Sequence, residues 1–294
     1  MKKLFYSQKI APYIFVLPFV LTVVLFWILP VGNGILLSFQ DVLKDKWIGL
    51  GNYKRLLSDK IFLKAIYNSV RYMIGTLLLL IPFPMIFANL LNSKLMIKPG
   101  LFKSVYFMPA LTSVVVAGTI FRLMFGEMGT SLGNQVIGTL GMAPIKWLKN
   151  DRTGFLALLL LACWRWTGVN ILYFLAGIQS ISTDVYESAS IDGASRWQQF
   201  RKITVPLIKP TTVYVVTISI YAGLSMFTES YMLWKGNNSP QNIGLTIVGY
   251  LYRQGIEKRA MGYACAAGLI LLTIVLVINL FQLTATGTFR KGES

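Results

Sequence analysis

The sequence DVYESASIDGASRWQQFRKITVPLIKP, residues 184–210, is a polar and charged segment between two long apolar runs. Asp184 followed by Glu187 predicts a helix N-terminus, because an acidic cap with an acid three residues later satisfies free backbone amides. We expect this helix to end near Ile191. Gly193 then supplies the left-handed backbone conformation that commonly terminates a helix.

A second short helix is expected directly after this turn. Ser195 and Gln198 have the spacing of a capping box, in which each side chain bonds to the backbone of the other residue. Pro206 and Pro210 are expected to end the helix, since proline has no backbone N–H to donate. The segment therefore predicts two short helices outside a membrane. The apolar residues of the second helix follow at helical spacing: Trp197, Phe200 and Ile203.

This segment resembles the EAA loop of permease subunits of ABC importers, whose pattern is roughly E-A-A-x-x-D-G-A, a five-residue gap and F-x-x-I-x-L-P. Two residues depart from it, Ser188 at the middle Ala and Val205 at the Leu, and both replacements preserve size or apolarity. The alternative is an ordinary amphipathic cytoplasmic loop. The resemblance implies a coupling helix that receives the motion of a separate ATPase, through Glu187, Ser188, Ala189, Asp192, Gly193, Ala194, Phe200 and Pro206.

The composition is that of an integral membrane protein. Of 294 residues 55% are hydrophobic and 13% are charged, and mean hydropathy is +0.60, whereas soluble domains carry about 25% charged residues. The formal net charge of +17 is attributed to contact with anionic lipid, because no basic run typical of nucleic-acid binding accompanies it. Histidine is absent, and the two cysteines lie in apolar runs, so neither a zinc site nor a disulfide framework is expected.

Six apolar runs predict six transmembrane helices, and hence an all-α polytopic membrane protein. The first run is longer than the core of a cleaved signal peptide, which is the alternative, and we interpret it as a retained helix. The resemblance identifies the whole as a type I ABC importer transmembrane domain. The expected spans are about 11–37, 66–91, 104–125, 154–181, 211–234 and 260–283.

Three regions are expected along the chain. Residues 1–64 hold a cytoplasmic N-terminus, the first transmembrane helix and an external loop with a short helix. Residues 65–283 form the importer transmembrane domain with spans two to six and the coupling loop, and 284–294 form a cytoplasmic tail. Shorter stretches also resemble permeases for sugars and related solutes, among them Gly49-Leu-Gly-Asn-Tyr53, Phe107-Met-Pro109 and Ile145-Lys-Trp-Leu148.

Charge does not decide the orientation in the membrane, because lysine and arginine are divided almost equally between the two sides. The coupling loop decides it, since an ATPase is found only in the cytoplasm. Both termini are therefore expected in the cytoplasm of a bacterial cytoplasmic (inner) membrane. The loops on the opposite side are 38–64, 126–153 and 235–259.

No Walker motif G-x-x-x-x-G-K-[ST] occurs in the sequence, so this chain is not expected to bind ATP. No cofactor, no metal and no catalytic constellation are expected, and ATP with Mg²⁺ belongs to the partner ATPase. The chain is interpreted as a transport subunit rather than an enzyme.

Polar residues inside apolar spans are further candidates, because placing them in lipid is costly. Amide, hydroxyl and aromatic groups suit a sugar better than an ion. Helix packing and interfacial anchoring are the alternative roles. For Arg165 and Glu229, placed near external span ends, we favour a salt bridge or a snorkelling arrangement. The candidate pathway residues are Trp166, Asn170, Tyr173, Tyr221, Gly223, Ser225 and Met226.

The sequence thus resembles the first of two unlike permeases in a carbohydrate importer of the maltose, glycerol-phosphate and multiple-sugar type. This implies a second permease forming a heterodimer, two ATPase subunits, an external solute-binding protein and a sugar or oligosaccharide substrate. Related permeases carry glycerol phosphates and polyols, so the solute stays open. An ion-coupled secondary transporter is the main alternative, although such carriers usually show acids at mid-membrane and internal repeats. A membrane-embedded enzyme is disfavoured by the lack of histidine and of paired acids.

Overall fold

The computed structural model describes residues 8–93, 96 and 98–287, and these are mostly helical. The expected start of the N-terminal region, part of the basic linker between spans two and three, and most of the expected tail lie outside the described residues. The described residues form two compact units. The first comprises 8–59 and 251–270, and the second comprises 60–250 and 271–287.

The first unit begins with a continuous apolar helix of 28 residues, Ala11–Ser38. It consists of α1 (Ala11–Val23), a π-helical turn (Val24–Ile28) and α2 (Leu29–Ser38). A hairpin that the sequence analysis did not predict follows, with β1 (Gln40–Asp41) antiparallel to β2 (Lys46–Trp47). The short helix expected before span two is present as α3 (Gly51–Ser58).

Polar contacts fix the hairpin and α3 in this unit. The side chain of Asn52 donates to the carbonyls of Ser38 and Gln40 at 2.9 and 3.0 Å. The guanidinium of Arg55 lies 4.8 Å from the ring centre of Tyr263, at the start of the last helix. The bond from Asn52 to Ser38 satisfies a carbonyl at the end of α2 that the helix itself leaves unpaired.

The second unit contains the long helices that surround the candidate site. Its helices are α4 (Lys60–Leu80), α5 (Pro82–Leu91), α6 (Pro99–Leu111), α7 (Val114–Met124), α8 (Leu132–Thr139), α9 (Asp151–Gln179), α10 (Thr183–Ile191), α11 (Arg196–Gln199), α12 (Val205–Leu207), α13 (Lys209–Leu224) and α14 (Thr228–Leu233). Then come α15 (Ile247–Tyr252), a π turn (Arg253–Glu257) and α16 (Met261–Ala285), of which α15 and α16 continue across the division between the units.

Among the described residues, four helices are long and apolar enough to cross a membrane, and the number rises to six if each of two bent pairs is one span. The four are Ala11–Ser38, Lys60–Leu91, Asp151–Gln179 and Met261–Ala285. The expected third span is not one straight helix, because α6 and α7 meet at 92°. The expected fifth span ends at Leu224 rather than near 234, and α14 begins after a three-residue break.

The core of the second unit forms where α9 packs against α4, α5 and α6, and where α13 packs against α4. Glycines permit these close approaches. A Cβ atom on Gly168 of α9 would overlap the carbonyl of Tyr106 in α6, and one on Gly223 of α13 would lie 2.8 Å from the Cα of Met73 in α4. Small residues at such crossings are typical of packing between membrane helices.

Candidate coupling segment and translocation cavity

The first helix of the coupling segment (residues 184–210) begins earlier than the sequence pattern predicted. Helix α10 starts at Thr183, and the side chain of Ser182 accepts a 3.3 Å hydrogen bond from the backbone N–H of Asp184. The prediction that Asp184 is the cap is therefore wrong. Asp184 instead lies in the first turn, where a carboxylate is favourable beside the free amides of the helix.

The turn and the second cap agree with the prediction. Helix α10 ends at Ile191, and Gly193 has φ of +79°. The backbone N–H of Ser195 donates to Gln198 at 2.7 Å, and the backbone N–H of Gln198 donates to Ser195 at 3.3 Å, which completes the capping box.

Proline does not end the second helix at the predicted position. From α11 the chain continues through a π turn (Phe200–Thr204) into α12, which contains Pro206, and bends by 67° into α13. In the π turn the N–H of Val205 bonds to the carbonyl of Phe200, five residues earlier. This wider turn shifts the hydrogen-bond register directly before Pro206. The helix can therefore continue through Pro206, although proline has no N–H to donate. Pro210 lies in the first turn of α13, where no N–H is required.

The predicted coupling residues divide into exposed and buried groups. Helix α10 has no buried residue. Phe200 is buried in a core cluster with Ile208 and with residues of α5, α9 and α13, so it supports the segment from within. The exposed members are Glu187, Ser188, Asp192, Gly193 and Pro206, and the half-buried ones are Ala189 and Ala194.

A cavity of about 350 Å³ lies in the second unit, between α4, α9, α13 and the break before α14. Six of the seven predicted pathway residues line it, while Tyr221 points elsewhere and is 62% exposed. Helix α4 also contributes Tyr72 and Thr76, which were not among the predicted pathway residues. Their four-residue spacing on an apolar helix is the signal that could have found them. The predicted residues at the cavity are Trp166, Asn170, Tyr173, Gly223, Ser225 and Met226.

The amide of Asn170 is engaged by the backbone of a neighbouring helix. Its Nδ2 donates to the carbonyl of Leu80 at 2.7 Å, and the residue is buried. In an unbroken helix the carbonyl of Leu80 would accept from the N–H of residue 84, but Pro84 has none. Asn170 therefore satisfies an acceptor that the proline leaves without a partner, and it fixes α9 to the junction of α4 and α5.

Arg165 lies in the middle of α9, not near a helix end as predicted. Its guanidinium donates to the carbonyl of Thr112 at 2.6 Å, directly after α6 ends. Among the described residues no ion pair joins it to Glu229. The expected salt bridge or snorkelling arrangement is thus replaced by a cap on the broken third span. The charge also faces the negative end of the α6 dipole.

Glu229 gives the cavity its charge. Of the described residues that line the cavity, Glu229 is the only Asp, Glu, Lys or Arg, and it is half-buried. Trp166 and Tyr173 present aromatic surface to the same space. A carboxylate that accepts hydrogen bonds beside aromatic planes can bind a solute with hydroxyl groups and apolar ring faces.

Comparison with known proteins decides the family. Residues 61–284 match the model of the family described as binding-protein-dependent transport system inner membrane component. The chain belongs to this family. It is therefore a multi-pass membrane permease, a transport component rather than a catalytic enzyme.

Curated relatives of the permease match over nearly its full length. It is 50% identical to the arabinooligosaccharides transport system permease protein of Bacillus subtilis (strain 168), over 99% of this chain and 93% of that protein. The protein of the same name in Halalkalibacterium halodurans is 45% identical, over 98% of this chain and 92% of that protein. The lactose transport system permease protein of Rhizobium radiobacter is 29% identical over 93% of each chain.

Solved structures show the same fold. The permease superposes with a TM-score of 0.84 on a chain of a bacterial ABC transporter involved in the import of the acidic polysaccharide alginate, at 25% identity over 97% of this chain and 96% of that chain. A second structure, of a bacterial alginate ABC transporter in complex with a periplasmic protein that binds an alginate pentasaccharide, gives a TM-score of 0.85 at 24% identity. The match covers 96% of this chain and 95% of that chain.

Proposed function

We propose that this permease forms one half of the translocation pathway of an ABC importer for a sugar or oligosaccharide. The family is binding-protein-dependent by description, and the relatives at 50% and 29% identity are named for arabinooligosaccharides and lactose. An ion-coupled carrier has no support from these two relatives, both of which are named as transport system permease proteins.

In this proposal the chain crosses the membrane six times. The bent pair α6 and α7 counts as one span, and of the second bent pair only α13 lies in the membrane. The coupling segment then lies in the cytoplasm between spans four and five, and both termini lie on the same side. The long helix α9 directly before α10, and α13 directly after Ile208, support this placement. The loops 38–64, 126–153 and 235–259 face the solute-binding protein.

The observation that carries the proposal is that one core joins the coupling segment to the cavity. Phe200 and Ile208 share a buried cluster with Val215 of α13, and further along the same helix Ala222 and Gly223 line the cavity. A displacement of the segment is therefore transmitted along α13 to the cavity wall. Alternating access follows as a shift between inward-open and outward-open packings of the helices.

The partners follow from this mechanism. A second, unlike permease supplies the other half of the pathway. Two cytoplasmic ATPase subunits bind and hydrolyse ATP with Mg²⁺, because this sequence has no Walker motif. No cofactor is assigned to this chain.

The cavity favours a neutral solute rich in hydroxyl groups. The carboxylate of Glu229 accepts hydrogen bonds from hydroxyls, while Trp166, Tyr173 and Phe227 offer apolar planes to sugar rings. No lysine or arginine is among the described lining residues, so a solute anion would meet a negative charge without a compensating positive one.

The test uses the full complex with its ATPase, partner permease and solute-binding protein in liposomes. Gly193→Val places a β-branched residue at φ of +79°, which strains the turn. We expect ATP-driven uptake of an arabinose oligosaccharide to collapse. Gly100→Val is the matched control, because a Cβ at Gly100 meets nothing within 4 Å and no positive φ is required there. Uptake that persists without the ATPase, or that Gly193→Val leaves unchanged, would overturn the proposal.

A further inference from the structure

We propose that the hydroxyl pair of Tyr186 and Thr204, together with Gln199 and Ser190, forms a clamp that fastens the coupling helix α10 to its supporting helix. The clamp makes α10 and the support move as one body. This inference rests on the proposed function, in which a partner ATPase displaces α10.

Helix α10 needs such a fastening because apolar packing does not supply one. None of its nine residues is buried, and Ile191 at its end is 87% exposed. The two half-buried residues near its middle are Tyr186 and Ala189. A helix of this length is marginal on its own in water, so its position depends on bonds to the rest of the chain.

The support consists of α11 and the π turn that follows it, residues 196–204. In contrast to α10, it is anchored in the core through the π turn. Phe200 and Thr204 of the π turn are buried, as is Ile208 at the bend. Phe200 and Ile208 belong to a core cluster with residues of α5, α9 and α13. Anything bound to this π turn is thereby connected to the helix that lines the cavity.

Two hydrogen bonds link the face of α10 to the support. The hydroxyls of Tyr186 and Thr204 lie 2.9 Å apart, and either can donate. One turn further along α10, the hydroxyl of Ser190 accepts from Nε2 of Gln199 at 2.9 Å, and the same nitrogen also donates to the carbonyl of Ala194 at 3.1 Å. Because residues 186 and 190 lie on one helix face, the two bonds resist rotation of α10 as well as separation.

The covalent connection between α10 and α11 does not by itself hold α10 in place against the support. Between α10 and α11 the chain passes through Gly193, where a Cβ would meet nothing within 4 Å. A turn in open space can pivot about its backbone torsions when a force acts on α10. With the clamp closed the force reaches Thr204, and with the clamp open part of the displacement is absorbed at the turn.

Tyr186→Phe tests the clamp because it removes a single hydroxyl and keeps the ring. Solute imported per ATP hydrolysed is measured in proteoliposomes containing the full complex. We expect this ratio to fall several-fold while the complex still assembles and hydrolyses ATP. Thr204→Val should give the same loss. The double variant should be no worse than either single variant, since both changes break the same hydrogen bond between residues 186 and 204. Thr204→Ser keeps the hydroxyl and should preserve the ratio.

Tyr67→Phe serves as the control, since Tyr67 is an exposed tyrosine elsewhere in the same unit. A native ratio in Tyr186→Phe, or a complex that loses its ATPase on this change, overturns the clamp. The native complex separates this failure from failure of the proposed function: if it shows no ATP-driven uptake, the importer assignment itself falls.

Discussion

At the scale of single residues, the polar side chains of this permease largely satisfy backbone carbonyls where helices are broken. Asn170 donates to Leu80, and Arg165 donates to Thr112. Arg122 donates to Met232 in the last turn of α14, at 3.1 Å. A sequence shows that a polar residue lies in an apolar helix, but not which carbonyl lies opposite. This is why Asn170 was predicted as a pathway residue without its bond to the backbone.

The first prediction separates these two roles of Asn170. Asn170→Ala leaves the carbonyl of Leu80 without its donor, and a buried unsatisfied acceptor costs about 1–3 kcal/mol. We expect the purified complex to melt at a lower temperature, while the solute concentration for half-maximal uptake stays the same. A weaker apparent affinity for solute with unchanged melting would instead show that the amide contacts the substrate.

Glu229 is expected to act on the solute itself. Glu229→Leu removes both acceptor oxygens from the cavity, and hydrogen bonds to charged groups contribute about 1.5–3 kcal/mol, so uptake of a neutral oligosaccharide should fall about 10- to 100-fold. Glu229→Gln keeps one acceptor oxygen and should lose less. Uptake and basal ATP hydrolysis are measured together, and equal uptake in all three forms would exclude a contact with solute.

At the scale of helices, the sequence was sufficient to predict the features that depend on residues close together in the chain. The capping box at Ser195, the glycine turn and the extent of α9 depend on neighbours in the chain, and they were found within a few residues. The start of α10 was misplaced because Ser182 and Asp184 are both good caps, and residue type alone does not choose between them. The break between α6 and α7 was missed because both sides are apolar, and hydropathy does not report backbone direction.

The packing of α9 on α6 gives the prediction at this scale. Gly168→Ala places a methyl group onto the carbonyl of Tyr106, with backbone rather than a flexible side chain in the way. Overpacking of this kind costs about 1–3 kcal/mol, so the variant complex should melt earlier and be recovered in lower yield. Gly138→Ala is the control, because a Cβ there meets nothing within 4 Å. Equal stability of the two variants would contradict the close approach.

At the scale of the whole molecule, composition was enough to predict a polytopic membrane protein but not its orientation. An excess of lysine and arginine in the loops of one side normally reveals the cytoplasmic side, yet here these residues occur on both sides of the expected spans. The orientation therefore depends on the coupling segment alone. Likewise, the cavity needed the fold, since its lining comes from α4, α9 and α13, which are far apart in the sequence.

The last prediction concerns this orientation, and the chain offers a clean way to measure it. Single cysteines are introduced at exposed positions on either side of α9, as Met142→Cys and Arg196→Cys, after Cys163 and Cys265 are replaced by alanine. A thiol reagent that cannot cross the membrane should label Met142→Cys on intact cells. It should label Arg196→Cys only after the membrane is permeabilised, because one transmembrane helix separates the two sites. Labelling of Arg196→Cys from outside would place the coupling segment away from any ATPase, and the transport mechanism would have to be rejected.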